Sequence, residues 1–433
     1  MKSHVRISRS LPALFYCALT LGLLFASSDV AARLPKNTTT EILDDGMEIV
    51  VVRKPNAKQV SMRFIVKAGG KDDGPGLAGT AHMLEHLIFQ GTYVDREGLF
   101  KSTRNDFAMV DAFTSTDWTV YVLDADKNDF ARHAERYIKM ITNPALMWVD
   151  LKLEKKIIDG EHQIRSLKSI GWALDQQLFP SLNQGQTVIG TLSSRKAIND
   201  YALRDFYSLH YRPKKTIALF SGNITHEEAK GILKRSVLFP PRRDSIALDE
   251  TSAPALPSEK KQRSSGLSVT VGYSMRGVDR DTCRSLAAVA ERRLVRSVLI
   301  DEPLAQVAKV RCISLRQELL LFAVAFASTP TAFELPERID EVLLGLRFKP
   351  PRSAEISRLK ARERSVRNKM RENPSGQATE LAFVLGESGA DTQQVLQNAE
   401  KALRFSKKKM KKAANKNIQK ENRFSLQLSP FKG

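Results

Sequence analysis

Cysteine is scarce in this chain: 433 residues contain three. Cys17 lies in an apolar leader, which leaves Cys283 and Cys312 for the body of the protein. Two cysteines make no disulfide framework, so a small disulfide-held scaffold is excluded. The pair either bonds or stays as two buried thiols. No stretch after the leader is long and apolar enough to span a bilayer. No cysteine follows the leader's small-residue end, which argues against a lipid-anchored amino terminus. Recognised nucleic-acid motifs are absent too, although the formal net charge is +20. Part of that excess sits in runs such as Lys407–Lys412, within a helical pattern, where it reads as a solvated face. Nucleic acid is therefore not an expected partner.

What is present begins with the leader. Lys2 and Arg6 precede a largely apolar run from Leu11 to Phe25, and small residues fill Ala26–Ala32. This is the pattern of a secretory signal peptide, residues 1–32, cut before Arg33. The remaining length suits two domains. An N-terminal domain is expected over 33–241, a polar, Pro-containing linker over 242–264, and a C-terminal domain over 265–433. Strands are expected at Gly46–Val52, Val60–Val66, Thr216–Gly222 and Leu267–Tyr273, and a helix at Asp281–Ile300.

The most informative stretch is His82-Met83-Leu84-Glu85-His86. On a helix, residues i and i+4 lie one above the other with i+3 beside them. His82 and His86 can grip one metal ion while Glu85 points into the same space. Two imidazoles and a nearby non-ligating carboxylate suit a hydrolytic zinc: the metal acidifies water and the carboxylate takes its proton. The spacing H-x-x-E-H is that of the inverzincins.

The motif's flanks, Gly79-Thr80-Ala81 before and Phe89-Gln90-Gly91-Thr92 after, resemble the active-site segment of the pitrilysin/insulin-degrading-enzyme family. The resemblance continues at Glu154-Lys155-Lys156-Ile157-Ile158-Asp159-Gly160-Glu161 and at Asp111-Ala112-Phe113-Thr114-Ser115-Thr116-Asp117-Trp118-Thr119-Val120-Tyr121. It implies an α+β fold of two homologous α/β-sandwich domains that together make half of a clam-shell chamber. It implies one zinc per chain, with Glu161 as the third ligand beside His82 and His86. Glu85 becomes the general base, and Glu154 orients a ligand or the water. Residues 154 and 161 are two helical turns apart and share a face, which agrees. Their bland alternative is a pair of exposed charges on an amphipathic helix. His162 points elsewhere and is expected at the surface. Gly160 costs this helix about 1 kcal/mol relative to Ala.

In the family the Asp111–Tyr121 segment is an edge strand that receives substrate as an added strand. Asp111, Ala112, Phe113 and Thr114 are the expected substrate-binding residues, with Asp111 standing where the family has Asn. The second half departs further. An ungapped reading puts Leu299 and Gln306 where active single-chain members carry an Arg and a Tyr that help hold substrate and stabilise the tetrahedral intermediate. The expected function is thus a zinc metalloendopeptidase subunit, similar to the short bacterial branch and to mitochondrial processing peptidase subunits. It would act on peptides or unfolded segments, in the periplasm or outside the cell, with a same-fold partner supplying the Arg/Tyr pair. The competing class is a non-catalytic peptide-binding or scaffold subunit with a structural zinc.

Overall fold

The computed structural model describes residues 37–96, 108–168, 187–240, 260–263, 267–315, 318–327, 334–386, 392–400 and 405–429. The leader and most of the expected linker lie outside the described residues. Lys260–Arg263, expected at the linker's end, form a strand instead.

The first lobe runs β1 (Thr38–Ile42), β2 (Glu48–Arg53), β3 (Gln59–Val66), α1 (Thr80–Ile88), β4 (Met109–Thr114) and β5 (Thr119–Asp126). It continues with α2 (Lys127–Thr142), α3 (Trp148–Lys168), α4 (Leu192–Ala197), α5 (Asp200–His210), β6 (Thr216–Gly222) and α6 (His226–Ser236). The second lobe runs β7 (Lys260–Arg263), β8 (Leu267–Ser274), α7 (Arg280–Val295), β9 (Val307–Leu315), β10 (Glu318–Ala327) and α8 (Leu335–Phe348). Then come α9 (Ser353–Glu372), α10 (Pro374–Gly386), α11 (Thr392–Glu400), α12 (Lys407–Asn417) and β11 (Arg423–Ser429). The helix expected at Asp281–Ile300 is α7, which continues as one wider π-helical turn at Arg296–Asp301. The run Asp111–Tyr121 is not one strand. It folds into the β4–β5 hairpin, because the Ser115 hydroxyl oxygen accepts the backbone N–H groups of Asp117 and Trp118 and turns the chain.

The duplication, only a weak echo in sequence, is plain in topology. The sheets are ordered β1-β2-β6-β3-β5-β4 and β7-β11-β8-β10-β9. Leaving β1 aside, every strand has a counterpart. The β2/β6 and β7/β11 pairs are parallel, and all other neighbours are antiparallel. Helix α1 follows β3 as α7 follows β8.

The first sheet is buried on both faces, which is why β2, β3 and β6 read as nearly continuous apolar runs. Ile49, Val51, Met62 and Phe64 face the core beneath α1 and α2. Val50, Val52, Ile65 and Leu219 face Leu381, Ala382 and Leu385 of α10. A helix from the second half of the chain therefore roofs the first sheet. Gly386 is required there, since a Cβ would lie 2.5 Å from the Trp118 ring.

One polar clasp crosses this interface. Arg63, 2% exposed on β3, donates to Asp124 at 2.7 Å and to Ser375 and Thr379 of α10 at 3.0 Å each. A buried charge is tolerable only when so paired, and removing one partner typically costs about 3–5 kcal/mol. Among the described residues no helix is long and apolar enough to cross a membrane. Cys283 of α7 and Cys312 of β9 are joined by a disulfide, their Cα atoms 5.8 Å apart, which settles the alternative left open by sequence.

Candidate active site

Helix α1 is short, and eight of its nine residues are buried. Packing therefore holds it rather than intrinsic propensity. Its start is fixed by Gly79 in the left-handed region, φ 98°, where a Cβ would meet the Ile189 carbonyl at 2.9 Å. The buried Asp73 carboxylate accepts the first backbone N–H groups, from Gly79 at 2.7 Å and Ala81 at 2.8 Å. This satisfies donors that a helix start leaves without partners. Asp73 was not singled out from sequence, because its role depends on the loop folding back over six to eight residues.

Across from α1, helix α3 turns Glu154, Ile158 and Glu161 inward, while Leu153 and Ile157 remain exposed on its other side. Glu161 Oε2 lies 3.6 Å from His82 Nε2 and 3.5 Å from His86 Nε2. The ligand atoms of His82, His86 and Glu161 all fall within 4.8 Å of one another, and no other such group occurs among the described residues. His162, next in sequence, is not part of it. Glu154, on the same inward face, places its Oε2 2.9 Å from His86 Nδ1. Nδ1 is thereby the nitrogen that shares a proton with Glu154, and Nε2, when it carries no proton of its own, turns its lone pair toward the Glu161 carboxylate. Two acceptors pointed at each other call for a cation between them. The same preference is seen in His86 itself. Burial pulls its pKa down, but Glu154, Glu161 and the charge of Glu85 overcome this and raise it to about 9. The site draws in positive charge, and its two imidazoles and one carboxylate are the donor set zinc takes.

Glu85 is 6% exposed on the same face of α1 and is not part of that group of three donors. Thr114 donates its hydroxyl to Glu85 Oε2 at 2.6 Å. Burial pushes the Glu85 pKa up to about 7; Thr114 and His86 oppose the rise, while Glu161 and Asp111 add to it. A carboxyl poised there can both take and return a proton near neutrality.

The four expected substrate-binding residues lie on β4, which pairs only with β5 among the described residues and so forms the sheet's edge. Thr114 turns toward the site, on Glu85. Phe113 turns to the opposite face and packs against Trp118 and Phe383, with ring centroids 5.0 and 5.4 Å away. Asp111 accepts the Ala112 backbone N–H at 2.9 Å. Sequence reasoning missed Gln90, which donates to Glu154 Oε1 at 2.6 Å. The signal was available, since Gln90 is four residues beyond His86. Nothing in the structure explains Gly160, whose Cβ would meet open space.

Residues 48–177, which include every residue of this cluster, match the family model described as Insulinase (Peptidase family M16). The chain carries a family M16 peptidase domain. It is similar to the mitochondrial-processing peptidase subunit beta of Saccharomyces cerevisiae, 25% identical over 210 residues, 46% of this chain and 44% of that protein. It is similar also to an uncharacterized zinc protease of Mycobacterium leprae, 26% identical over 205 residues, 44% of each. The chain thus spans less than half of the length of these curated relatives. In fold it matches the crystal structure of a protease from Helicobacter pylori with a TM-score of 0.80 and 20% identity, over 92% of this chain and all of the other. The fold shared with that protease therefore extends beyond the matched segment into the second lobe.

The two glutamates of α3 are separable by experiment. Glu161→Gln is expected to weaken metal binding strongly. Glu154→Gln, acting through His86, is expected to cost about 10–100-fold. Competition with a chromogenic chelator ranks them, and the opposite order would mean that the two roles are exchanged.

Proposed function

We propose that this chain is the metal-bearing subunit of an exported zinc endopeptidase. The observation that carries the reading is the convergence of His82, His86 and Glu161, with Glu85 beside them held by Thr114. Three protein donors leave a fourth position for water or substrate, as in catalytic rather than closed structural zinc sites. Zinc, when bound by these three residues, supplies a Lewis acid that acidifies water and polarises the scissile carbonyl.

The chain's own groups do the rest. The Thr114 hydroxyl pins one oxygen of Glu85 and leaves the other to accept a proton from the attacking water. The same carboxyl then returns that proton to the leaving amine. Glu154 and Gln90 fix the His86 ring so that Nε2 faces the site. The edge of β4 receives the substrate backbone as an added strand, placing the scissile bond beside Glu85. The Cys283–Cys312 disulfide and the signal-like leader both favour an oxidising compartment, the periplasm or the exterior.

Hydrolysis of a quenched peptide library by the purified chain and any co-purifying subunit tests this. Cleavage is expected to vanish with a chelator and to return with zinc. A preparation with stoichiometric metal that cleaves nothing, even with its partner present, favours the scaffold reading.

A further inference from the structure

Because the two lobes repeat one plan, the metal cleft has a counterpart. In the first lobe the cleft lies between α1, edge strand β4 and α3; in the second, α7, edge strand β9 and α9 occupy those places. Among the described residues the counterpart holds no group of metal ligands. It is lined with cations instead. A groove of about 1040 Å³ runs between the three elements and presents Arg284, Arg292, Arg296, Lys309, Arg311 and Arg362 against Glu291, Asp301 and Glu363. Past Arg292 and Arg296 it continues into a second hollow of about 610 Å³, where Arg293, Lys349, Arg352 and Arg358 face Glu355. The disulfide fastens β9 to α7 along the groove, with Cys312 in its lining.

The groove already grips one carboxylate. Glu291 Oε2 accepts the Val310 backbone N–H at 3.0 Å and an Arg311 N–H at 2.9 Å, and Lys309 Nζ lies 3.5 Å from its other oxygen. Val310 thus turns its N–H off the open side of β9, and by the two-residue alternation of a strand Ala308 and Cys312 do the same. A carboxylate-bearing chain laid along this edge would meet backbone donors and cations together.

We propose that this groove binds an extended, acidic stretch of the polypeptide substrate. The proposal rests on the peptidase reading for the word substrate, though not for the binding itself. Arg292 and Arg296 are one helical turn apart, about 6 Å along the axis. Same-side residues of an extended chain repeat at about 6.6 Å. Successive carboxylates on one side of the bound strand therefore fall beside successive arginines. Among the described residues no aromatic side chain lines either hollow. Bases of a single-stranded nucleic acid would find no stacking platform, which favours polypeptide over a phosphate polymer.

The test uses the full chain carrying Glu85→Gln and a fluorescent peptide with glutamate at alternate positions, read by anisotropy. Binding is expected to weaken as salt rises. It should fall at least about tenfold in the Arg292→Glu/Arg296→Glu double variant, where two attractions become repulsions. A glycine–serine peptide of equal length should not bind, and oligothymidylate of equal charge should compete poorly. Arg292, Arg296 and Arg362 are exposed, so reversal leaves the core intact. Thermal unfolding checks this, and Arg362→Glu repeats the test should the double variant misfold. Binding unchanged by charge reversal, equal binding of the neutral peptide, or preferential displacement by oligothymidylate overturns the proposal. Cleavage of a neutral peptide by the chain with native Glu85 and any co-purifying subunit is measured in parallel. Binding without any cleavage sinks the peptidase reading alone, whereas cleavage with no acidic binding sinks the groove alone.

Discussion

Glu85→Gln is expected to abolish peptide hydrolysis while leaving the metal in place. The amide keeps the shape of the carboxylate and can still meet the Thr114 hydroxyl, 2.6 Å from Oε2 in the native chain. It cannot accept a proton from water. General-base loss typically costs about 10²–10⁴-fold in rate. Metal should stay, because His82, His86 and Glu161 are untouched and Glu85 is not among the grouped ligands. Metal content by mass spectrometry, beside turnover of the same sample, reads both at once. Full activity in the variant, or a folded chain stripped of metal, contradicts the role given to Glu85.

The same helix face explains how much of the site could be read from sequence. His82, Glu85 and His86 are positioned by local helical geometry, so their spacing alone places them together. Glu154 and Glu161 share a face for the same reason, and only the meeting of the two helices depends on the tertiary fold. Gln90 and Thr114 were harder to place. Each acts through a hydrogen bond to a residue far along the chain, Glu154 and Glu85 respectively. The second covering of the first sheet was hidden in a similar way. Arg63 interrupts the apolar run of β3 and by pattern belongs on a wet face. It is buried because Asp124, Ser375 and Thr379 close around it, and two of those three lie on a helix more than three hundred residues away. The repeat was also faint in sequence. Strand order and direction are repeated between the lobes, while α1 carries His82, Glu85 and His86 where α7 carries Arg284, Arg292 and Arg293.

The difference between the lobes carries the last prediction: the chain purified alone should bind zinc yet cleave peptides feebly. A hydrolytic chamber needs donors aimed at the developing oxyanion, and loss of one such donor typically costs about 10²–10³-fold in turnover. The family pattern that this chain resembles supplies an Arg and a Tyr from the second lobe. Here Leu299 and Gln306 stand at those positions by the ungapped reading. Leu299 lies in the π-helical turn after α7 and packs against the second lobe's core, with no donor to offer. Gln306 is exposed just before β9, its backbone N–H tied to the Phe326 carbonyl at 2.7 Å. A second M16-type chain bearing the Arg/Tyr pair is therefore expected to co-elute with this one and to raise its turnover by about 10²–10³-fold. The gain should disappear when the partner's Arg is replaced, without loss of the complex. Ordinary enzymatic rates from a sample shown by mass spectrometry to be free of partner would end the two-chain hypothesis. The electrostatic help would then have to come from this chain itself.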